Sequence, residues 1–535
     1  MNCARPAGPS CMGAVCALVI LDCLLYVSPG VMAQSQVTPS VIGREAAVPH
    51  HLKNGDEFTL PLSALIEHGK KLFSANWTEE EGGGRPLMTG SGEPLSDRAR
   101  PLRGARGFNR VSGPDANSCQ GCHNAPFGIA GGSGDFVTNA VELAERFDFV
   151  TFDRGDATHP VSLATVGNSR STPGLFGAGY LEMLARQITH ELQRTRDSIQ
   201  PGQSKRLTSQ GISFGVLARR RDGTWNTQAV EGLPPQSLRT SVSSITPSLV
   251  IRPWRQSGSV ASLRELTNTG YNQHHGIQST ERFGSGTDPD GDGVVNEMTR
   301  ADVTAVAMFQ ATLAVPGRVV PNDPDVERAI AAGERVFHQV GCTTCHVPAL
   351  RLARQGWRYS EPGPYNAPGN LRRRDARTLE VDLTNPALPQ PRLTPSPGDP
   401  DAIDVPAYTD FKLHDITDPA DGAAGEPLDL NQPARSVKVT AGNRKFLTSR
   451  LWGVANQPPY FHHGLFTTMR QAVLAHAGEA LDERRAFEHV AAADQDALIE
   501  FLKSLQVLPP SSKALIVDER GQAKAWPRPG GHRSQ

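Results

Sequence analysis

The stretch "NSCQGCHNAPFG" at residues 117–128 decides how the chain is read, and "VGCTTCHVPAL" at 340–350 repeats its central pattern. Both contain Cys-x-x-Cys followed at once by His. With 8 Cys and 16 His in 535 residues, roughly 0.004 such matches are expected by chance, so two copies are a designed feature. Two thiols one helical turn apart can form thioethers to the two vinyl groups of a haem. The histidine beside them is then held under the iron as its proximal ligand. Zinc bound by both cysteine pairs is the rival reading. It gives no role to the histidine after each pair. The motifs therefore predict two covalently bound c-type haems, with Cys119, Cys122 and His123 for the first and Cys342, Cys345 and His346 for the second.

The remaining cysteines agree with this. Cys3, Cys11, Cys16 and Cys23 lie in an N-terminal segment that reads as an export signal, with Arg5, an apolar run from Met12 to Val27, and Val31 and Ala33 as the small residues before a cleavage point. The run is shorter than the ~20 residues of a bilayer span. The expected mature protein starts after residue 33, has no membrane span and is periplasmic. Its four cysteines all belong to the two motifs, so in an oxidising compartment they need an occupant other than a disulfide partner.

Working outward, "PDVERAIAAGERVFHQVGC" before the second motif places Val326, Ile330, Gly333, Phe337 and Val340 on one helical face. "LSALIEHGKKLF" repeats the idea upstream of the first motif, with Gly69 and Phe73 answering Gly333 and Phe337. The glycine lets a second helix cross closely, and the aromatic can pack towards the haem. Gly333 precedes Cys342 by 9 residues but Gly69 precedes Cys119 by 50, so the first copy carries a Gly/Arg/Pro-rich insertion. The helix pattern in "DQDALIEFLKSLQVLPP" closes the second module. The expected architecture is mainly α, with two cytochrome c-like haem domains and long loop insertions. Its boundaries are a signal peptide at 1–33, an N-terminal haem domain at 34–320, a C-terminal haem domain at 321–510 and a flexible tail at 511–535. Length alone favours two domains or more. A net charge of −1 offers no electrostatic footprint for nucleic acid.

On these motifs, together with "YTDFKLHDI", "LWGVANQPPYFHHG" and "RQAVLAHAGEA", the chain resembles the bacterial di-haem cytochrome c peroxidase superfamily, in its di-haem oxidoreductase or putative peroxidase branch, over residues 60–508. The resemblance implies one six-coordinate, electron-donating haem and one haem where peroxide reacts. It implies that His476 occupies the second haem's distal position, where the peroxidases have Met, and that His462 lies near a haem edge. For the first haem it points to His159 as a displaceable distal ligand, with His274, His275 or an open position as alternatives. Arg170, Pro173 and Phe176 match the family's segment, but no Trp follows that Phe. Trp452 is the available substitute between the haems. Glu182 is the candidate acid-base group, with a pKa raised by apolar surroundings.

"DPDGDGVVNE" has calcium-loop spacing, with Asp288, Asp290 and Asp292 at positions 1, 3 and 5, Gly293 at 6 and the Val294 carbonyl at 7. Thr299 stands where the bidentate Glu belongs, and Glu297 is the expected compensation. The resulting expectation is an enzyme that reduces hydrogen peroxide with electrons from a small c-type cytochrome or cupredoxin. An oxygenase acting on a macromolecule or polymer, and a non-catalytic electron-transfer cytochrome, are the alternatives.

Overall fold

In the computed structural model, the residues described are 42–83, 118–133, 137–140, 167–240, 245–289, 291–418, 425–429, 431–432, 438 and 441–527. The expected export signal, most of the first insertion, His159 and Asp290 lie outside them.

Helix α1 (Leu62–Ser74) buries Leu65, Gly69, Leu72 and Phe73, the face that the spacing predicts. It crosses α4 (Arg300–Ala311). Between them in the chain come α2 (Ala178–Asp197) and α3 (Leu263–Gly270), the latter capped by the Ser262 hydroxyl, which accepts from Glu265 N–H. Helix α5 (Pro324–Gln339) begins at Asp323, whose carboxylate accepts from the N–H groups of Asp325 and Val326, and Pro324 fills the first turn, where no donor is needed. It crosses α8 (Ala492–Ser504), after the shorter α6 (Met469–Leu474) and α7 (Leu481–His489).

Both crossings depend on glycine. A Cβ on Gly69 would stand 2.0 Å from the Ala305 carbonyl oxygen, and one on Gly333 would stand 1.9 Å from that of Ala497. Neither position admits a larger residue without moving the helices apart. The repeat extends to the aromatics. Phe73 packs on Phe309 and Phe337 on Phe501, both pairs with centroids 5.3 Å apart and rings inclined at 57°. The first module is therefore closed by α4, as the second is by α8.

Small two- and three-stranded sheets accompany the helices, so "mainly α" understates the strand content. The insertion after α2 forms a meander of Ser204–Ser209, Ile212–Arg219 and Trp225–Asn226. The apolar side chains form two clusters. The smaller holds Phe337, Met469, Phe487, Leu498 and Phe501. The larger spans α1, α2 and α4 and also takes in Leu350, Leu352, Tyr359, Val381 and Val405. A cut at residue 320 thus does not separate the cores, because the chain returns to the larger one after the second motif.

The expected flexible tail is instead a docked strand. Ile516–Val517 pairs in parallel with Gly317–Val319, Val517 is buried, and the Lys524 ammonium reaches Glu327 at 2.7 Å. The apolar run "ALIV" supplies the strand, and the lysine ties its far end to α5.

Candidate functional site

Among the described residues, each Cys-x-x-Cys-His motif lines a cavity of its own. Because the cysteine pairs line different cavities, they cannot share one zinc ion.

In the second cavity the turn Cys342–Thr344 follows α5 through Gly341, whose φ of 90° favours glycine. His346 lies beside Phe337, and its Nδ1 is 3.1 Å from the Tyr408 carbonyl. Across the cavity, His476 follows α6 with its Nδ1 2.8 Å from the Ala472 carbonyl. A carbonyl only accepts, so each Nδ1 carries a proton and each Nε2 is left as a ligand atom. The two ring centroids are 6.5 Å apart. Two imidazoles on opposite sides of one metal ion, with metal–nitrogen bonds of about 2 Å, have centroids about 6.3 Å apart. The pair therefore fits the axial positions of a haem iron. Burial, and then the neighbouring His476, pull His346 down to about 4, so it stays neutral and able to ligate at physiological pH.

The first cavity repeats this arrangement. The Ser118 hydroxyl donates to the Phe73 carbonyl and fixes the start of the turn Cys119–Cys122. His123 Nδ1 lies 3.2 Å from the Gly131 carbonyl and its ring 5.9 Å from that of Phe73. Burial is the main cause that lowers His123 to about 4, and His274 adds to it. His274 and His275 both line this cavity, on a π-helical turn spanning Tyr271–His275. His275 Nε2 is 3.3 Å from Cys119 Sγ. Burial pushes the Cys119 and Cys342 thiols up to about 12.

The cavities share a wall. Ser171, Pro173, Gln256 and the run Leu447–Arg450 line both. The strand Lys445–Leu447, paired with Leu413–Asp415, holds that run in place. Trp452 lines neither cavity. It is buried behind the wall against Gly177, where a Cβ would stand 2.4 Å from its ring. It is not the inter-haem residue.

Glu182 is also displaced from its expected place. It is buried on α2, where it accepts from the Arg186 guanidinium at 2.6 Å and from Leu263 N–H at 2.7 Å, and it lines neither cavity. Burial raises its pKa against the opposing charge of Arg186. Its surroundings are a buried ionic cluster reaching through Tyr359 and Glu361 to Arg264 and Glu281. His462 lines the second cavity and stacks on Phe446, with centroids 3.7 Å apart and planes 16° apart. The two expected catalytic residues are thus not brought together.

Cys345, Asp410 and His414 offer ligand atoms within 4.8 Å of one another, but this is no metal site. His414 is held between Asp410 and Glu479, each at 2.8 Å, with both ring nitrogens facing carboxylates. Although burial opposes it, hydrogen bonding to Asp410 raises His414 to about 11, and a doubly protonated ring has no lone pair to give.

The acidic loop winds around Asp288, which accepts from the N–H groups of Gly291, Asp292 and Gly293, while Asp292 accepts from Val294 N–H. Burial and the nearby Asp288 raise Asp292. Glu297 does not complete the loop: it accepts from Gln278 N–H at 2.6 Å and packs against Gly82. Thr299 has another task, as the N-cap of α4 in a capping box with Asp302.

Residues 402–505 match the family model described as di-haem oxidoreductase, putative peroxidase. The matched segment carries the Leu447–Arg450 part of the shared wall, His414, His462 and His476, but neither Cys-x-x-Cys-His motif. No curated protein matches the chain. Among solved structures, hydrazine synthase of Kuenenia stuttgartiensis, pressurised with 20 bar xenon, aligns at 14% identity over 93% of this chain and 100% of that one, with a TM-score of 0.33. A MauG-like protein associated with microbial copper homeostasis aligns at 13% identity over 53% of this chain and 76% of that one, with a TM-score of 0.22. At these scores neither fixes the fold or the activity of this chain.

Proposed function

We propose that the protein is an exported di-haem c-type oxidoreductase that reduces hydrogen peroxide to water with electrons from a small c-type cytochrome or cupredoxin. The observation that carries this reading is the unequal provision of the two cavities. The second holds a facing pair of histidines whose Nδ1 atoms both meet backbone carbonyls, whereas the first holds His123 together with two further histidines, His274 and His275, on a π-helical turn.

When bound, each haem supplies an iron that exchanges one electron, and an iron with a free position also binds small oxygen ligands. The chain's residues assign different tasks to the two sites. His346 and His476 would both hold the second haem's iron, which suits electron storage. Ligation by His and not Met lowers that site's potential, because thioether favours the ferrous state. In the first cavity, the Gly131 carbonyl holds the proton on His123 Nδ1 and so directs Nε2 inward. His274 takes the place intended for Glu182, as the group that carries a proton between the two peroxide oxygens. Electrons from the donor protein would cross the wall from Leu447 to Arg450, and two electrons with two protons from solvent convert each peroxide to two waters. Calcium in the Asp288 loop, held by Asp288, Asp292 and the Val294 carbonyl, belongs to the same reading and fixes the start of α4.

The paired histidines of the Tyr271–His275 turn favour a second reading, an electron carrier with both irons capped. Adding one equivalent of hydrogen peroxide to the reduced holoprotein without oxygen separates the two. Rapid oxidation of both haems supports the peroxidase, and two unreactive low-spin haems leave the carrier.

A further inference from the structure

Among the described residues, two guanidinium groups face the cavities without a carboxylate hydrogen-bonded to them. Arg450 lines both cavities, and Arg255 lines the first. Arg170 lines the first cavity too, but Glu426 clamps it through two contacts at 2.5 and 2.8 Å. Among the described residues, neither Arg450 nor Arg255 has such a partner. Arg450 donates to the Gly174 carbonyl and lies 5.8 Å from the centre of the Trp254 ring. Arg255 donates to the Gln273 side chain. Its φ of 65° lies in the left-handed region, which a residue with a Cβ enters at a cost. The fold accepts that cost at a position that aims a cation into the first cavity.

The imbalance is energetic as well as geometric. Burial pulls Arg255 down to about 9, with Arg170 and Arg282 adding repulsion that Glu265 only partly offsets, and burial pulls Arg450 down to about 10. A guanidinium in such surroundings is stable only with a counter-anion. The group that each cavity fits brings two propionate carboxylates of its own. A guanidinium has five N–H donors, and with one turned to Gly174, Arg450 retains enough for two carboxylates.

We propose that Arg450 is a propionate anchor shared by the two haems, holding one carboxylate from each cavity across the common wall, and that Arg255 anchors a propionate of the first haem alone. This rests on the di-haem reading above and adds an electrostatic link between the sites. A cation beside both irons disfavours the ferric state of each. Oxidation at one site is then felt at the other through a single residue.

The test starts with a pyridine haemochrome count on the wild-type holoprotein. A value below two haems per chain overturns the di-haem reading itself. With two haems present, redox titration of Arg450→Gln is expected to lower both midpoint potentials, and Arg255→Gln to lower only that of the first haem. Resonance Raman should show the propionate-bending bands of both haems shifted in Arg450→Gln. If Arg450→Gln moves one haem only, or neither, the shared anchor is overturned while the di-haem reading stands. Should Arg450→Gln not retain both haems, Arg450→Lys is titrated in its place. Keeping the charge but losing the fork, it should hold both potentials near wild type while both propionate bands shift, and unshifted bands would overturn the proposal.

Discussion

His476 is the residue whose chemistry is most exposed to test. By the resemblance set out above it is expected where di-haem peroxidases carry methionine, and its ring stands at the distance from His346 that a shared iron requires. His476→Met should leave the second haem low-spin and raise its midpoint potential, while His476→Ala should give a high-spin signal in electron paramagnetic resonance. Glu182 makes the opposite case. Glu182→Gln should destabilise the protein by about 1–3 kcal/mol in denaturant titration, because Arg186 loses a buried counter-charge. It should leave peroxide turnover within two-fold, whereas loss of a proton-transfer residue would cost about 100-fold or more. The sequence placed Glu182 near the site because it follows a family-like segment, yet one helical turn separates the segment's cavity residues from its buried face. His463 adds a pH dependence. Burial lowers it to about 4 from an unfolded value of 6.5, so the unfolded chain takes up a proton that the folded one refuses. Its stabilising contribution is complete above pH 6.5 and is lost as pH falls towards 4. Melting temperatures measured across that interval should fall less steeply in His463→Gln than in wild type.

Among the elements, the two glycine crossings carry the sharpest expectation. Gly333→Ala should cost about 2–3 kcal/mol, because its methyl group meets a backbone carbonyl that cannot rotate away, and Gly69→Ala should cost about as much. Equilibrium unfolding measures both. This part of the fold was legible, since a Gly and a Phe four residues apart on a helical face recur before each motif. The partner of α1 was legible too but was missed. Residues 301–313 and 493–505 share Ala-Asp-x-x-Ala-x-x-x-Phe-x-x-x-Leu, which contains both Ala305 and Ala497 and both Phe309 and Phe501. Chelation of calcium should lower the melting temperature of the wild type and have no effect on Asp288→Asn. No change in either would make the loop a plain acidic turn.

For the whole molecule, residues Glu45–Gln535 form a single compact unit. Spacing reveals motifs and helix faces, but it does not reveal which distant segments share a wall. Arg255 and Arg450 have no periodic signal, and only folding brings them to a common boundary. The docked tail was hidden for a similar reason, because a two-residue strand depends on the edge that it finds. Among the described residues, no helix is long and apolar enough to cross a membrane.

The crossing of α1 with α4 has a further consequence, for the order of assembly. The carbonyl that receives Gly69 belongs to a residue more than two hundred positions later in the chain, beyond the first motif, the meander and the acidic loop. Contacts of such long range form late and slowly. A chain emerging from its N-terminus therefore presents Cys119 and Cys122 well before the helix that will enclose them exists. The first Cys-x-x-Cys-His motif is thus open during synthesis by topology alone, and the arrival of α4 is the event that closes it.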